Sequence, residues 1–113
     1  MITHGKMTLN DYQHFAARTI NRLCDNLTNT ALGLAGEAGE VADLIKKVTC
    51  QGHDLDELRP KLIEELGDCA WYIALGCSVL GERMEDVLAA NIEKLQKRYP
   101  QGFSAERSIN REV

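Results

Sequence analysis

No apolar run in this chain approaches the roughly 18–20 residues that a membrane span needs, and Met1 to Asn10 has neither the charged start nor the apolar block of an export signal. A membrane is therefore not expected as a partner, and the chain reads as soluble and unexported. The four cysteines (Cys24, Cys50, Cys69, Cys77) include no C-x-x-C pair, so a disulfide framework is not indicated and a reducing, cytoplasmic compartment is. His4, His14 and His53 show no zinc spacing, no G-x-x-x-x-G-K-[ST] loop occurs, and no Glu-x-x-His pair of the four-helix di-metal redox type is present. Basic residues are outnumbered, 13 against 17 acidic, which argues against a nucleic-acid groove. An anionic ligand would need a recruited cation.

What is present is helical periodicity. At 113 residues the chain is one domain, 1–113, with a single core. Thr8-x-x-Asp11 opens a first helix whose apolar positions (Leu9, Tyr12, Ala16, Ile20, Leu23) recur until Asn26–Asn29. Thr30 is placed to cap a second helix carrying Leu34, Ala38, Val41, Leu44, Ile45 and Val48, ending near Gly52. His53–Arg59 reads as a polar connector. Pro60 then opens a third helix through Leu62, Leu66, Cys69, Ile73, Cys77 and Leu80, which Gly81 stops. Met84, Val87, Leu88, Ile92 and Leu95 define a fourth, closed by Pro100 and Gly102, and residues 101–113 read as a loosely held polar tail. The expected fold is all-α, a four-helix bundle.

Two acidic pairs stand out within this pattern: Glu37-Ala-Gly-Glu40 and Glu65-Leu-Gly-Asp68. At about 100° per residue, Leu34, Ala38, Val41 and Ile45 lie roughly 40–100° to one side of Glu37, and Glu40 about 60° to the other. Helix three repeats the arrangement, with Leu62, Leu66, Cys69 and Ile73 on one side of Glu65 and Asp68 on the other. The acids thus sit on the rim of each apolar stripe. If the helices pack antiparallel on those stripes, four carboxylates converge, an all-oxygen set suited to Mg²⁺. A single such pair is usually a solvated face, but two in matching positions are not. Glu64 reads as a solvated neighbour.

Trp71, Leu75 and Val79 form a second apolar row on helix three, which implies another subunit and a bundle completed by homo-oligomerisation. Gly33, Gly36 and Gly39 weaken helix two, so close helix packing or room for a ligand is required there. On helix four, Asn91, Lys94 and Arg98 share one side, and an amide plus two cations suit phosphate oxygens; a dipole-favoured basic last turn is the competing account of Arg98. Trp71 and Tyr72 are placed to stack on a nucleobase, with packing the competing use of Trp71.

Gly33 to Asp43, Glu64 to Tyr72, and Asn91 to Phe103 with Lys-Arg-Tyr-Pro-Gln-Gly-Phe together resemble the MazG-like nucleoside triphosphate pyrophosphohydrolases. That family's E-x-x-E, spacer, E-x-x-D pattern accommodates residues 41–64 as the spacer. The resemblance implies an all-α homodimer or homotetramer that cleaves a (d)NTP to the monophosphate and pyrophosphate with Mg²⁺, Mn²⁺ being a substitute. It implies Glu37, Glu40, Glu65 and Asp68 as metal-binding and catalytic residues, with Glu40 or Glu37 also the candidate base. All-α relatives with other nucleotide substrates share the acid pairs, so the base and sugar stay open. A non-catalytic nucleotide-binding or partner-regulating module with vestigial acid pairs is the alternative.

Overall fold

The computed structural model describes residues 5–111, so the readings of Met1–His4 and of the last two tail residues lie outside it. Five α-helices follow in order: α1 (Leu9–Ala17), α2 (Leu27–Cys50), α3 (Leu55–Val79), α4 (Met84–Arg98) and α5 (Ala105–Ile109), with a 3₁₀ turn at Arg22–Cys24 between the first two. The described residues contain no strand, and no helix among them is long and apolar enough to cross a membrane.

Local chemistry moves several boundaries from where periodicity put them. The first helix stops at Ala17 rather than reaching Leu23, because Thr19 turns both its N–H and its hydroxyl onto the Ala16 carbonyl (3.0 and 2.8 Å) and Asn21 caps the separate 3₁₀ turn. Asn26, not Thr30, caps α2: its Oδ1 accepts from the Asn29 N–H at 2.8 Å, while the Thr30 hydroxyl bonds back to the Asn26 carbonyl. The expected connector His53–Arg59 is mostly helix. Asp54 caps α3, with Asp56 and Glu57 in the favourable first turn, so Pro60 lies inside the helix and leaves the Asp56 carbonyl without its usual donor. The tail is not structureless either, since Ser104 caps the short α5; the bundle has five helices instead of four.

Helices α2 and α3 form the main hairpin. Thr30 approaches Gly76 and Gly33 approaches Tyr72, so position rises on one helix as it falls on the other and the pair is antiparallel. A Cβ on Gly33 would overlap the Tyr72 ring, which accounts for that glycine by packing; Gly36 and Gly39 have open space around them. Gly81, at φ 72°, ends α3 in a Schellman turn in which Glu82 N–H reaches the Cys77 carbonyl at 2.9 Å and Gly81 N–H the Ser78 carbonyl.

The hairpin closes only in part on its apolar stripes: Leu44 is buried and Leu34, Val41, Leu62 and Cys69 are half-buried. Glu65, expected on the rim, is buried at 5% exposure, whereas the stripe residues Leu66 and Ile73 remain 57% and 40% exposed and Ile45 43%. The close approaches at Gly33 and Gly76 accompany the burial of Glu65, while Glu40 and Asp68 stay exposed. The second apolar row is partly covered by the chain itself: α1 lies against α3, where Leu75 is buried and Trp71 donates from Nε1 to Thr19 Oγ1 at 2.8 Å. That row therefore does not by itself demand a second subunit. The outward stripes of α2 and α3 have no cover, and the radius of gyration, 17.1 Å, exceeds the about 13 Å of a closely packed domain of this length.

Helix α1 also completes the start of α4. Arg83 provides no side-chain cap there, so the first N–H groups of α4 need partners from elsewhere. Gln13 Oε1 accepts from Met84 N at 2.7 Å and Asn10 Oδ1 from Glu85 N at 3.2 Å. Gln13 Nε2 donates in turn to Ser78 Oγ and the Glu82 carbonyl. One glutamine thereby ties α1 to both sides of the α3–α4 turn, above a core of Ala74, Cys77 and Met84 packed by Tyr12, Ala16 and Leu88. Gln13→Ala is expected to destabilise the chain by about 1–3 kcal/mol, read as a lower urea midpoint with an unchanged slope.

Candidate metal centre

Antiparallel pairing brings one carboxylate from α2 and two from α3 together. One oxygen each from Glu37, Glu65 and Asp68 can be chosen so that all lie within 4.8 Å of one another. Glu65 Oε1 is paired with Lys61 Nζ at 3.3 Å, but its Oε2 is buried and, while Glu37 is ionised, has no hydrogen-bond donor. A bare carboxylate oxygen shut away from water is costly; a proton on the neighbouring Glu37 or coordination to a hard cation each satisfies it. On that observation the three acids fit a divalent metal.

The electrostatics follow from like charges held close. The Glu37 carboxyl is pushed up to about 7, first by its hydrogen bond to Glu65, then by burial and the charges of Glu65, Asp68 and Glu40. Glu65 moves the other way, held below its usual range chiefly by the same hydrogen bond and also by Lys61, against the opposing effect of burial. The pair thus retains one proton, on the Glu37 side. Lys61 is shared, at 3.3 Å from Glu64 as well as Glu65, and both carboxylates hold its ammonium above the usual value.

Of the four acids expected to converge, Glu40 does not enter the group of three; it is exposed, with its charge felt at Glu37. Glu64 is an exposed partner of Lys61. Trp71 and Tyr72 wall a cavity of about 280 Å³ with Glu37 and Asp68. The two rings meet edge to face at 4.9 Å. Trp71 also lines a second cavity, of about 450 Å³, between α1, the 3₁₀ turn and α3, with Arg22 and Asp25 among its walls. Asn91, Lys94 and Arg98 do not join the acids: Asn91 is exposed, and Lys94 and Arg98 line a separate cleft against α5.

Comparison with known proteins decides the family: residues 25–103 match the MazG nucleotide pyrophosphohydrolase domain. The chain belongs to that family. The matched span of this MazG domain begins after α1 and ends before α5, and it contains both acid pairs. A similar curated protein is the "Gene 37 protein" of Mycobacterium phage L5, 38% identical over 84 residues, which cover 70% of this chain and 74% of the phage protein. No solved structure matches.

Two residues bearing on this MazG domain's acid centre escape a reading of periodicity. Lys61 is signalled only by its i, i+4 spacing to Glu65. Tyr12, packed on the Ala74–Cys77–Met84 core, lies outside the acid group but feels it: burial first, and then the Asp68 charge, pushes its phenol up.

The shifted carboxyl gives a stability signature. Its folded value of about 7 lies above the ordinary 4.5, so the proton on Glu37 favours folding below the ordinary value, and that contribution is lost as pH rises through about 7. In metal-free protein the melting temperature should fall over that window. Glu37→Gln should flatten the fall, as should saturating Mn²⁺, both measured by thermal denaturation across a pH series.

Proposed function

We propose that this MazG domain is a metal-dependent nucleoside triphosphate pyrophosphohydrolase, converting a (d)NTP to the (d)NMP and pyrophosphate. The observation that carries the reading is the buried, unpartnered Glu65 Oε2 beside Glu37 and Asp68, within a chain of the MazG family. Mg²⁺, or Mn²⁺ in its place, would be held by Glu37, Glu65 and Asp68 and would neutralise the phosphate chain and acidify an attacking water.

The chain's own groups divide the remaining work. Lys61 fixes the Glu65 carboxylate by its contact with Oε1. Glu40, exposed one turn beyond Glu37 and outside the group of three, is the acid free to take a proton from water, or to join the ligands when a cation draws it in. Trp71 separates the cavity at the acids from the larger one against α1. A nucleobase resting on that ring would leave its phosphates toward Glu37 and Asp68, with Arg22 and Asp25 offering a donor and an acceptor to the base edge. Asn91, Lys94 and Arg98 stay proposed as phosphate contacts, although in a single chain none of them lines the cavity at the acids.

The working unit is a homo-oligomer, dimer or tetramer. Support comes from the uncovered stripe of Ile45, Leu66 and Ile73, and from Leu32 at 70% exposure. Four free cysteines suit a reducing, cytoplasmic compartment.

The test is a panel of ribo- and deoxyribonucleoside triphosphates with Mg²⁺ or Mn²⁺ and product identification. Monophosphate and pyrophosphate are expected; orthophosphate with diphosphate, or no turnover, sinks the reading. Glu65→Gln should lose Mn²⁺ binding together with activity. Glu40→Gln should lower kcat by about 10²–10⁴-fold while keeping Mn²⁺ affinity within a few-fold, if its role is the base. A separate measurement uses the chain's single tryptophan: nucleosides should quench Trp71 emission saturably in metal-free protein, and ribose 5-phosphate should not.

A further inference from the structure

The cavity between α1, the 3₁₀ turn and α3, of about 450 Å³, falls within the roughly 300–1,000 Å³ of small-molecule sites. Trp71 forms part of its wall, and two partners hold that ring. Its Nε1 donates to Thr19 Oγ1 at 2.8 Å, while the Thr19 hydroxyl donates in turn to the Ala16 carbonyl at 2.8 Å. The Tyr72 ring meets it edge to face at 4.9 Å. Ala16, Ala17, Ile20, Ala74 and Leu75 supply apolar surroundings. A braced aromatic ring in an apolar cavity suits a flat heterocycle.

Gln13, Ser78, Arg22 and Asp25 also line this cavity, and the first two are already committed. Gln13 Oε1 accepts from the Met84 N–H at 2.7 Å, and its Nε2 donates to Ser78 Oγ and the Glu82 carbonyl at 3.0 and 2.9 Å. Arg22 and Asp25 are not. They stand three residues apart across the 3₁₀ turn, a spacing at which opposite charges can pair. Among the described residues neither enters an ion pair, and the bond that joins them, from the Asp25 N–H to the Arg22 carbonyl at 3.4 Å, is between backbones. Arg22 precedes the span matched by the MazG family and Asp25 is its first residue, so membership of the family does not account for the pair. A guanidinium fork and a carboxylate thus line the cavity with their hydrogen-bonding capacity unspent.

That pair also says which heterocycle. An ionised carboxylate only accepts, and two N–H donors side by side match it best. Guanine alone among the common bases offers them, with N1–H beside the N2 amine. Adenine and cytosine set a ring-nitrogen lone pair beside their amine, and uracil and thymine flank one N–H with two carbonyls, so each turns an acceptor toward the second oxygen of Asp25. Arg22 matches the O6 and N7 acceptors of guanine. We propose that this cavity selects a guanine nucleotide, with Asp25 accepting from N1–H and the N2 amine, Arg22 donating to O6 and N7, and Trp71, positioned by Thr19, stacked on the base. This selectivity rests on the nucleotide reading above and supplies its base.

The test titrates full-length protein in EDTA with guanosine, inosine, adenosine, cytidine and uridine, following backbone amide resonances and the Trp71 indole N–H. Guanosine should shift Trp71 and residues 22–25 saturably and bind about ten- to a hundredfold tighter than adenosine, cytidine or uridine. Inosine keeps N1–H and O6 but lacks the N2 amine, and should bind about tenfold more weakly than guanosine; that comparison needs no variant. Asp25→Ala should erase the difference between guanosine and inosine. Equal affinities across the five nucleosides, a guanosine preference that survives Asp25→Ala, shifts centred away from Trp71, or absence of saturation each overturn the selectivity. The nucleotide panel judges the reaction separately. Turnover indifferent to the base, with equal nucleoside affinities, leaves the pyrophosphohydrolase reading standing and removes the selectivity, whereas guanosine selection without turnover of any nucleotide upholds the base site and removes the reaction.

Discussion

A carboxylate buried with one oxygen bare sets the terms for the rest of this molecule. Glu65 is shut between α2 and α3, Lys61 satisfies only Oε1, and the cost of the other oxygen must be met by something the hairpin brings near it. What it brings is Glu37 and Asp68, two more acids, of which Glu37 answers by holding a proton. A hairpin selected for stability alone would place leucines at those positions, whereas Leu66 and Ile73 here stand exposed. The fold accepts a poorer core in order to hold three acids in one place.

That exchange shapes the architecture. The buried apolar core is small: Leu44 on α2, Leu75 on α3, and a cluster of Ala74, Cys77 and Met84. Such a core depends on polar brackets, which explains why Asn10 and Gln13 serve as surrogate caps for α4. It also explains the expanded dimensions. Apolar arcs left exposed, such as Ile45, Leu66 and Ile73, are surfaces whose burial against any apolar partner would be favourable.

The acid pairs were legible because i, i+3 spacing survives any helix packing: wherever α2 and α3 lie, each pair shares a face. Which part of the face turns inward was not. Angular position locates the acids relative to Ile45 and Leu66, but the choice between rim and centre goes with two close approaches, Gly33 to Tyr72 and Gly76 to Thr30, and a sequence does not announce such long-range contacts. Asn26 and Asp54 as caps were readable in principle. Thr30 and Pro60 looked like equally good starts, and the competing hydrogen bond of Thr30 to the Asn26 carbonyl decides only once the chain is folded. Lys94 and Arg98 sharing a side of α4 was readable, whereas the cleft they line against α5 depends on a turn whose direction local sequence leaves open.

Charge accounting at the acids finally connects proton and metal. Lys61 is the cation in contact with the group, and it is divided between Glu64 and Glu65, so a single positive charge faces Glu37, Glu65 and Asp68 together with an outer glutamate. The cations of α4 and α5 are not among the walls of that cavity and do not offset the acids there. Without a metal, the remaining imbalance is relieved by the proton that holds Glu37 up to about 7. A divalent cation would answer the same electrostatic demand at the same carboxylates, and proton and cation would then each weaken the hold of the other. In metal-free protein Glu37 thus keeps its proton up to about neutral pH, whereas an isolated carboxylate loses its proton far below it.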